Sequence, residues 1–207
     1  MARDVVRLMR HHGWDRFDLV GHDRGACVAY RAALDDPAAV RRLAVLEAMP
    51  LLERLERADW RFAASWWHWW FFGEPDGHAE RAINADPDRW YSAKADLMGE
   101  EAYADLQRAL HDPAVVHAMV EDYRAGLRED REHDEADRAA GRTIACPLLV
   151  VSLLRDDPEL DYGVGLDEIW RAWAADVQTA EIDCGHHVSE EAPEELARIL
   201  RSFLSEP

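Results

Sequence analysis

Apolar residues recur along the chain with two different periods. Over residues 2–12, Val5, Val6, Leu8 and Met9 fall at helical spacing, and Gly13 follows as a stop before the short apolar run Phe17-Asp18-Leu19-Val20. That order predicts helix, turn and short buried strand. Gly21-His22-Asp23-Arg24-Gly25 comes next, and a helical pattern resumes from Ala26 to Leu34, ending at Asp35-Asp36-Pro37. Leu43-Ala44-Val45-Leu46 and Pro147-Leu148-Leu149-Val150-Val151 are two further runs of strand length. Runs apolar at every position predict strands buried on both faces, as in a parallel sheet.

Between these runs, residues 51–142 hold almost no β-branched stretches and many Ala, Arg, Glu and Trp, which predicts a helical insertion acting as a lid. The charge run at 128–138, REDREHDEADR, reads as a solvated helix face. After the third strand the pattern predicts a helix over Leu166–Trp173, a strand near Val177–Ile182, a loop with Gly185-His186 and a closing helix from Pro193 to Phe203. The whole is an α/β arrangement: residues 1–50 and 143–207 form the sheet-containing core, and 51–142 the lid.

Composition narrows the partners. A formal charge of -18, from 24 basic and 42 acidic residues, repels phosphate backbones and anionic lipid, so neither nucleic acid nor a membrane surface is expected. The start, MARDVVRLMRHHGW, has no apolar signal region, and the stretch Phe62 to Phe72, broken by Ser65 and His68, is short of the roughly 20 residues that span a bilayer. A cytoplasmic protein is expected. Cys27, Cys146 and Cys184 are odd in number and lack C-x-x-C spacing, so they are read as reduced thiols. The adjacent pairs His11-His12 and His186-His187 point in different directions along a chain, which argues against a metal site, and no glycine fingerprint of a nucleotide site is present. No cofactor is expected.

The chemistry centres on G-x-D-x-G. Following a strand and preceding a helix, it has the form of a nucleophile elbow with Asp23 in the nucleophile's place, and the two small glycines let strand and helix approach. The competing reading of Asp23 is a helix N-cap. An aspartate nucleophile displaces a leaving group from saturated carbon and leaves an ester that water must clear with the help of a base. His186, on the loop after the last strand, is the candidate base, with His187 beside it as the alternative. The acid orienting that imidazole comes either from Glu47, directly after the second strand, or from Asp156 or Asp157, after the third.

In order and over nearly the whole chain, GHDRGACVAYRAAL, RRLAVLEAMP, WWHWWFFGEP, EDYRAG and GHHVSEEAPEEL resemble the haloacetate (fluoroacetate) dehalogenases, members of the α/β-hydrolase fold. The resemblance implies Asp23 as nucleophile, His186 as base and Glu47 as acid. It also implies a halide cradle of His68, Trp69 and Tyr123, and Arg24 as the ligand of a substrate carboxylate. Imidazole, indole and phenol each offer a polar hydrogen to a departing anion, and a guanidinium fork suits a carboxylate. A small-molecule substrate follows, and because such proteins are often homodimers a second copy is the implied partner.

Three departures qualify the match. Cys27 stands where the family has a second carboxylate-binding arginine, Glu47 replaces an aspartate, and only 22 residues precede Asp23, so the N-terminal strands of the sheet are expected to be missing. Two other readings stay open: an epoxide hydrolase using a tyrosine among Tyr91, Tyr103 and Tyr123, and a non-catalytic scaffold.

Overall fold

The computed structural model describes residues 1–90, 95–155 and 164–205. Four strands, β1 (Phe17–His22), β2 (Val40–Leu46), β3 (Leu148–Leu153) and β4 (Val177–Ile182), form one sheet in the order β1-β2-β3-β4, with every neighbouring pair parallel. The fold is that of an α/β hydrolase. The continuous apolar runs are explained by which way alternate residues point. Leu43, Val45, Leu148 and Val150 enter one core with Ala26, Tyr30 and Trp170, while Ala44, Leu46, Leu149 and Val151 enter another with Leu196 and Phe203.

β2 begins earlier than its apolar run. The Arg42 guanidinium lies 5.4 Å from the centre of the Phe203 ring, and Arg41 pairs with Asp18 on β1, so two arginines are accommodated in the strand.

The chain divides into two compact units, Met1–Arg57 with Asp134–Pro207, and Ala58–His133. Helix Leu51–Arg57 and the residues from Asp134 onward, though inside the 51–142 interval, belong to the unit that contains the sheet and are tied into it by polar bonds. Tyr30 donates from its hydroxyl to Asp134 Oδ2 at 2.8 Å, and the Leu52 amide donates to the same oxygen at 3.2 Å. Arg31 pairs with Asp137 at 2.5 Å. Trp173 Nε1 donates to Glu53 Oε1 at 3.0 Å, and Trp170 Nε1 to the Ala48 carbonyl at 2.8 Å. Here the expectation of a solvated face for 128–138 needs correcting: Asp134 and Asp137 are 1% and 0% exposed. They are three residues apart, so one side of an otherwise charged, exposed helix meets the buried Arg31.

Among its described residues the second unit's regular elements are all helices, from Trp60–Ser65 to the short π-helix Gly126–Asp130 and the start of the helix that follows it. Its core is Phe72, Ala79, Ile83, Val116 and Val120. Arg124, buried, donates to both oxygens of Glu80, at 2.6 and 2.8 Å, and to the Glu74 carbonyl at 2.9 Å, which joins two helices and the loop before the Glu80 helix. Among the described residues no helix is long and apolar enough to cross a membrane.

Candidate active site

In a parallel sheet the loops that can meet are those leaving the C-terminal ends of the strands. Asp23 leaves β1, Glu47 leaves β2 and His186 follows β4. Gly21 is the residue that makes the first turn tight: a Cβ there would lie 2.4 Å from the Gly25 carbonyl oxygen and 2.6 Å from Ala26 Cα. The expectation that both glycines are sterically required is corrected at Gly25, where a Cβ would meet nothing within 4 Å.

Asp23 and Glu47 are the non-glycine residues with positive φ among those described, at 50° and 47°. Both follow a strand directly, and such strain persists only where surrounding bonds over-determine it. The Asp23 amide donates to the Leu46 carbonyl at 3.3 Å, and the Asp23 carbonyl accepts from Ala26 at 3.0 Å. Asp23 stands at the N-cap position of helix Arg24–Asp35, yet its side chain makes no capping bond, so the carboxylate is left for other work. Glu47 donates its amide to the Val151 carbonyl at 2.9 Å, and its carboxylate accepts the Leu153 amide.

His186 Nε2 lies 3.8 Å from Asp23 Oδ2. The His22 and His186 rings are 4.8 Å apart. Burial pushes the Asp23 carboxyl up, but bonding and charge from His186, with smaller help from the Arg24 amide and His22, outweigh it and hold the carboxyl below its usual range. An ionised carboxylate beside an imidazole is what nucleophilic attack followed by base-assisted hydrolysis requires. The neighbouring His187 is exposed and stands at the N-cap position of the helix Val188–Glu191 without a side-chain capping bond. Arg24 occupies the first helical residue after Asp23, and Cys27 stands one turn further on, partly buried.

In the second unit, Tyr123 Oη and His68 Nε2 are 3.5 Å apart, and the Trp69 and Tyr123 rings meet edge to face at 5.7 Å. His68, Trp69 and Tyr123 are thus brought together. Most of the surrounding aromatic block packs on itself, with Phe71 stacked on Trp90 and Phe62 edge-on to Trp69, while Trp67 and Trp70 stay substantially exposed. Asp156, Asp157 and Tyr91 lie outside the described residues.

Two side chains escaped the sequence reading. His22 was given no role beyond its place in the turn, and Glu191 none beyond its place in GHHVSEEAPEEL. Glu191 accepts the Gly185 amide at 2.8 Å and the His187 amide at 3.2 Å. No periodicity signals such a contact; a glycine before the histidine and an acid a turn after it are the only trace.

Glu74, Asp76 and His78 lie near one another in the second unit, as do Glu80, His117 and Glu121. The second set is already bound by Arg124, whose charge opposes a cation there.

A sequence profile described as Alpha/beta hydrolase family matches residues 1–199. A fluoroacetate dehalogenase of Burkholderia sp is 37% identical over 218 residues, with 100% of this chain and 69% of the relative covered. A soluble epoxide hydrolase of Corynebacterium sp. (strain C12) is 27% identical over 205 residues, covering 94% of this chain and 68% of that protein. A solved structure from Pseudomonas aeruginosa, provisionally named an epoxide hydrolase, has a TM-score of 0.93 at 37% identity and covers 99% of this chain and 70% of that one.

Proposed function

The chain belongs to the alpha/beta hydrolase family, and from that premise we propose that it hydrolyses the carbon–halogen bond of a small 2-haloacid through an aspartyl ester. The observation that carries this reading is the ionised Asp23 carboxylate, held at a strained elbow with His186 Nε2 3.8 Å away. Asp23 attacks the halogen-bearing carbon, the carbon–halogen bond breaks and the halide leaves with its electron pair. His186 then takes a proton from water, the resulting hydroxide adds to the ester carbonyl, and the hydroxy acid departs with a proton returned by His186. Such general-base assistance contributes about 10²–10⁴-fold.

Glu47 is the acid assigned to orient the imidazole, supported by its place after β2 beside the elbow and its own positive φ. Arg24 is assigned to the substrate carboxylate. His68, Trp69 and Tyr123 are assigned to the halide, supported by their mutual contacts and by polar hydrogens suited to an anion. Residues 51–142 would serve as the lid. A second copy as partner rests on the family resemblance, and a cytoplasmic location on the thiols of Cys27, Cys146 and Cys184.

Release of fluoride or chloride from fluoroacetate or chloroacetate, lost in Asp23→Asn, tests the reading. The relatives named for epoxide hydrolysis support a second one, with the same nucleophile and base and with Tyr123 or Tyr103 protonating the epoxide oxygen. Diol formation without halide release would select it. Absence of both activities, with ligand binding unchanged in Asp23→Ala, would favour a non-catalytic scaffold.

A further inference from the structure

We propose that Glu191 is a positioning residue for His186, fixing the loop that carries the imidazole so that its ring stays aligned with Asp23; this rests on the reading of His186 as the base. The two amides flanking His186 donate to the two oxygens of this one carboxylate, Gly185 to Oε2 at 2.8 Å and His187 to Oε1 at 3.2 Å. The Glu191 amide in turn donates to the His187 carbonyl at 2.8 Å, and the Val188 amide to the His186 carbonyl at 3.0 Å. On the other side of the loop Arg155 donates from its amide to the Cys184 carbonyl at 3.0 Å and from Nη2 to the Asp183 carbonyl at 2.7 Å. The 184–185 peptide is therefore held by Arg155 and Glu191 and the 186–187 peptide by Val188 and Glu191, so Glu191 is the group common to both.

The fit also explains a glycine. A Cβ at position 185 would sit 2.9 Å from Glu191 Oε1 and 3.1 Å from Oε2, so a side chain there would require the carboxylate to shift from this position. Charge-assisted bonds to amides are short and directional, and two of them to one planar group fix orientation as well as distance. Because Glu191 is exposed, water competes for its oxygens and its weight in folding stability is small. Its effect is expected in alignment, where a misplacement of about 1 Å costs roughly 10²-fold.

The two chemical steps depend on the base differently. Attack by Asp23 on chloroacetate needs no base, whereas hydrolysis of the ester needs the His186 ring. In Glu191→Ala the first equivalent of chloride should leave at the wild-type rate. The carboxymethyl ester on Asp23, read by intact-protein mass spectrometry, should then decay about 10²-fold more slowly. Glu191→Gln has the same shape and keeps one acceptor oxygen, so it should fall between. Wild-type turnover in Glu191→Ala, or both steps slowed alike in a folded Glu191→Gln, overturns the proposal.

If the wild-type protein forms no ester, the proposed function fails, and the positioning role is judged from the Asp23 carboxyl, titrated by ¹³C NMR. Loss of the His186 contact should raise its midpoint in Glu191→Ala, because His186 helps to hold it down. Removal of a negative charge acting only through space would lower it. A rise supports the proposal; no change or a fall overturns it.

Discussion

Alanine at position 21 and alanine at position 25 are the same substitution in the same turn, and they should behave oppositely. At Gly21 the new Cβ would stand 2.4 Å from a carbonyl oxygen and 2.6 Å from a Cα, where ordinary contact begins at 3.4 Å. The helix carrying Asp23 must therefore move about 1 Å away from β1, and both obstructing atoms are main chain, so no side-chain rotation relieves the clash. Overpacking of this kind costs about 1–3 kcal/mol, and the upper half of that range is expected. The same shift displaces Asp23 from its 3.8 Å contact with His186, so turnover should fall by about 10²-fold beyond any loss of folded protein. At Gly25 a Cβ meets nothing within 4 Å, and the residue lies in the first turn of a helix. Alanine there should be neutral or stabilising by up to about 1 kcal/mol. Urea unfolding midpoints together with halide release from chloroacetate measure both effects. Equal stability of the two variants, within about 0.5 kcal/mol, would refute the steric account of the elbow.

Three further outcomes follow from charges. The Asp23 carboxyl is held below its ordinary value of 3.8, so its contribution to stability is present above that pH and is lost as pH falls through the lower folded value. Because ester hydrolysis is the step that uses the base, a fall in kcat on acidification above about pH 3.8 should then report a histidine; a limb in kcat with the temperature-insensitive midpoint of a carboxylate would contradict this. Glu80 is held at about 2 against an ordinary 4.5, first by its bond to Arg124. Glu80→Gln should cost about 2 kcal/mol near neutrality, allowing for screening, and the gap between the two proteins' melting temperatures should close as pH falls from 4.5 through about 2. Arg31→Met strips the guanidinium from Asp137, 0% exposed, and from Asp134, 1% exposed. Asp137 keeps its pairing with Arg142, and Asp134 its bonds from Tyr30 and Leu52, so a loss of about 1–3 kcal/mol is expected in urea unfolding, partly recovered in Arg31→Met/Asp137→Leu.

Much of this protein is legible in one dimension. The apolar run at 43–46 falls within β2, that at 147–151 overlaps β3 from Leu148 onward, and the 177–182 strand matches β4. These readings succeed because a strand covered on both faces must be apolar at consecutive positions, a local requirement that leaves a local mark. G-x-D-x-G is legible for the same reason, since strand, elbow and helix are contiguous. Resemblance to known hydrolases singled out His186 and the His68, Trp69 and Tyr123 group, which periodicity alone does not distinguish from packing.

What the order of residues left open was decided by contacts between distant segments. The sequence offered Asp23 as nucleophile or helix cap; in the fold its side chain makes no capping bond and lies 3.8 Å from His186, more than 160 positions away, and the proposal of a nucleophile rests on that contact. Charge density at 128–138 pointed to solvent, but Asp134 and Asp137 are buried because Arg31 and Tyr30, on a helix about 100 residues earlier, supply partners for them. Glu191 is one acid among many in the chain, and only the folded loop shows it taking the two amides that flank His186. Hydrophobic burial writes its period into neighbouring residues. Hydrogen bonds and ion pairs satisfy a single atom wherever the fold delivers a partner, so for them only the tertiary structure could choose.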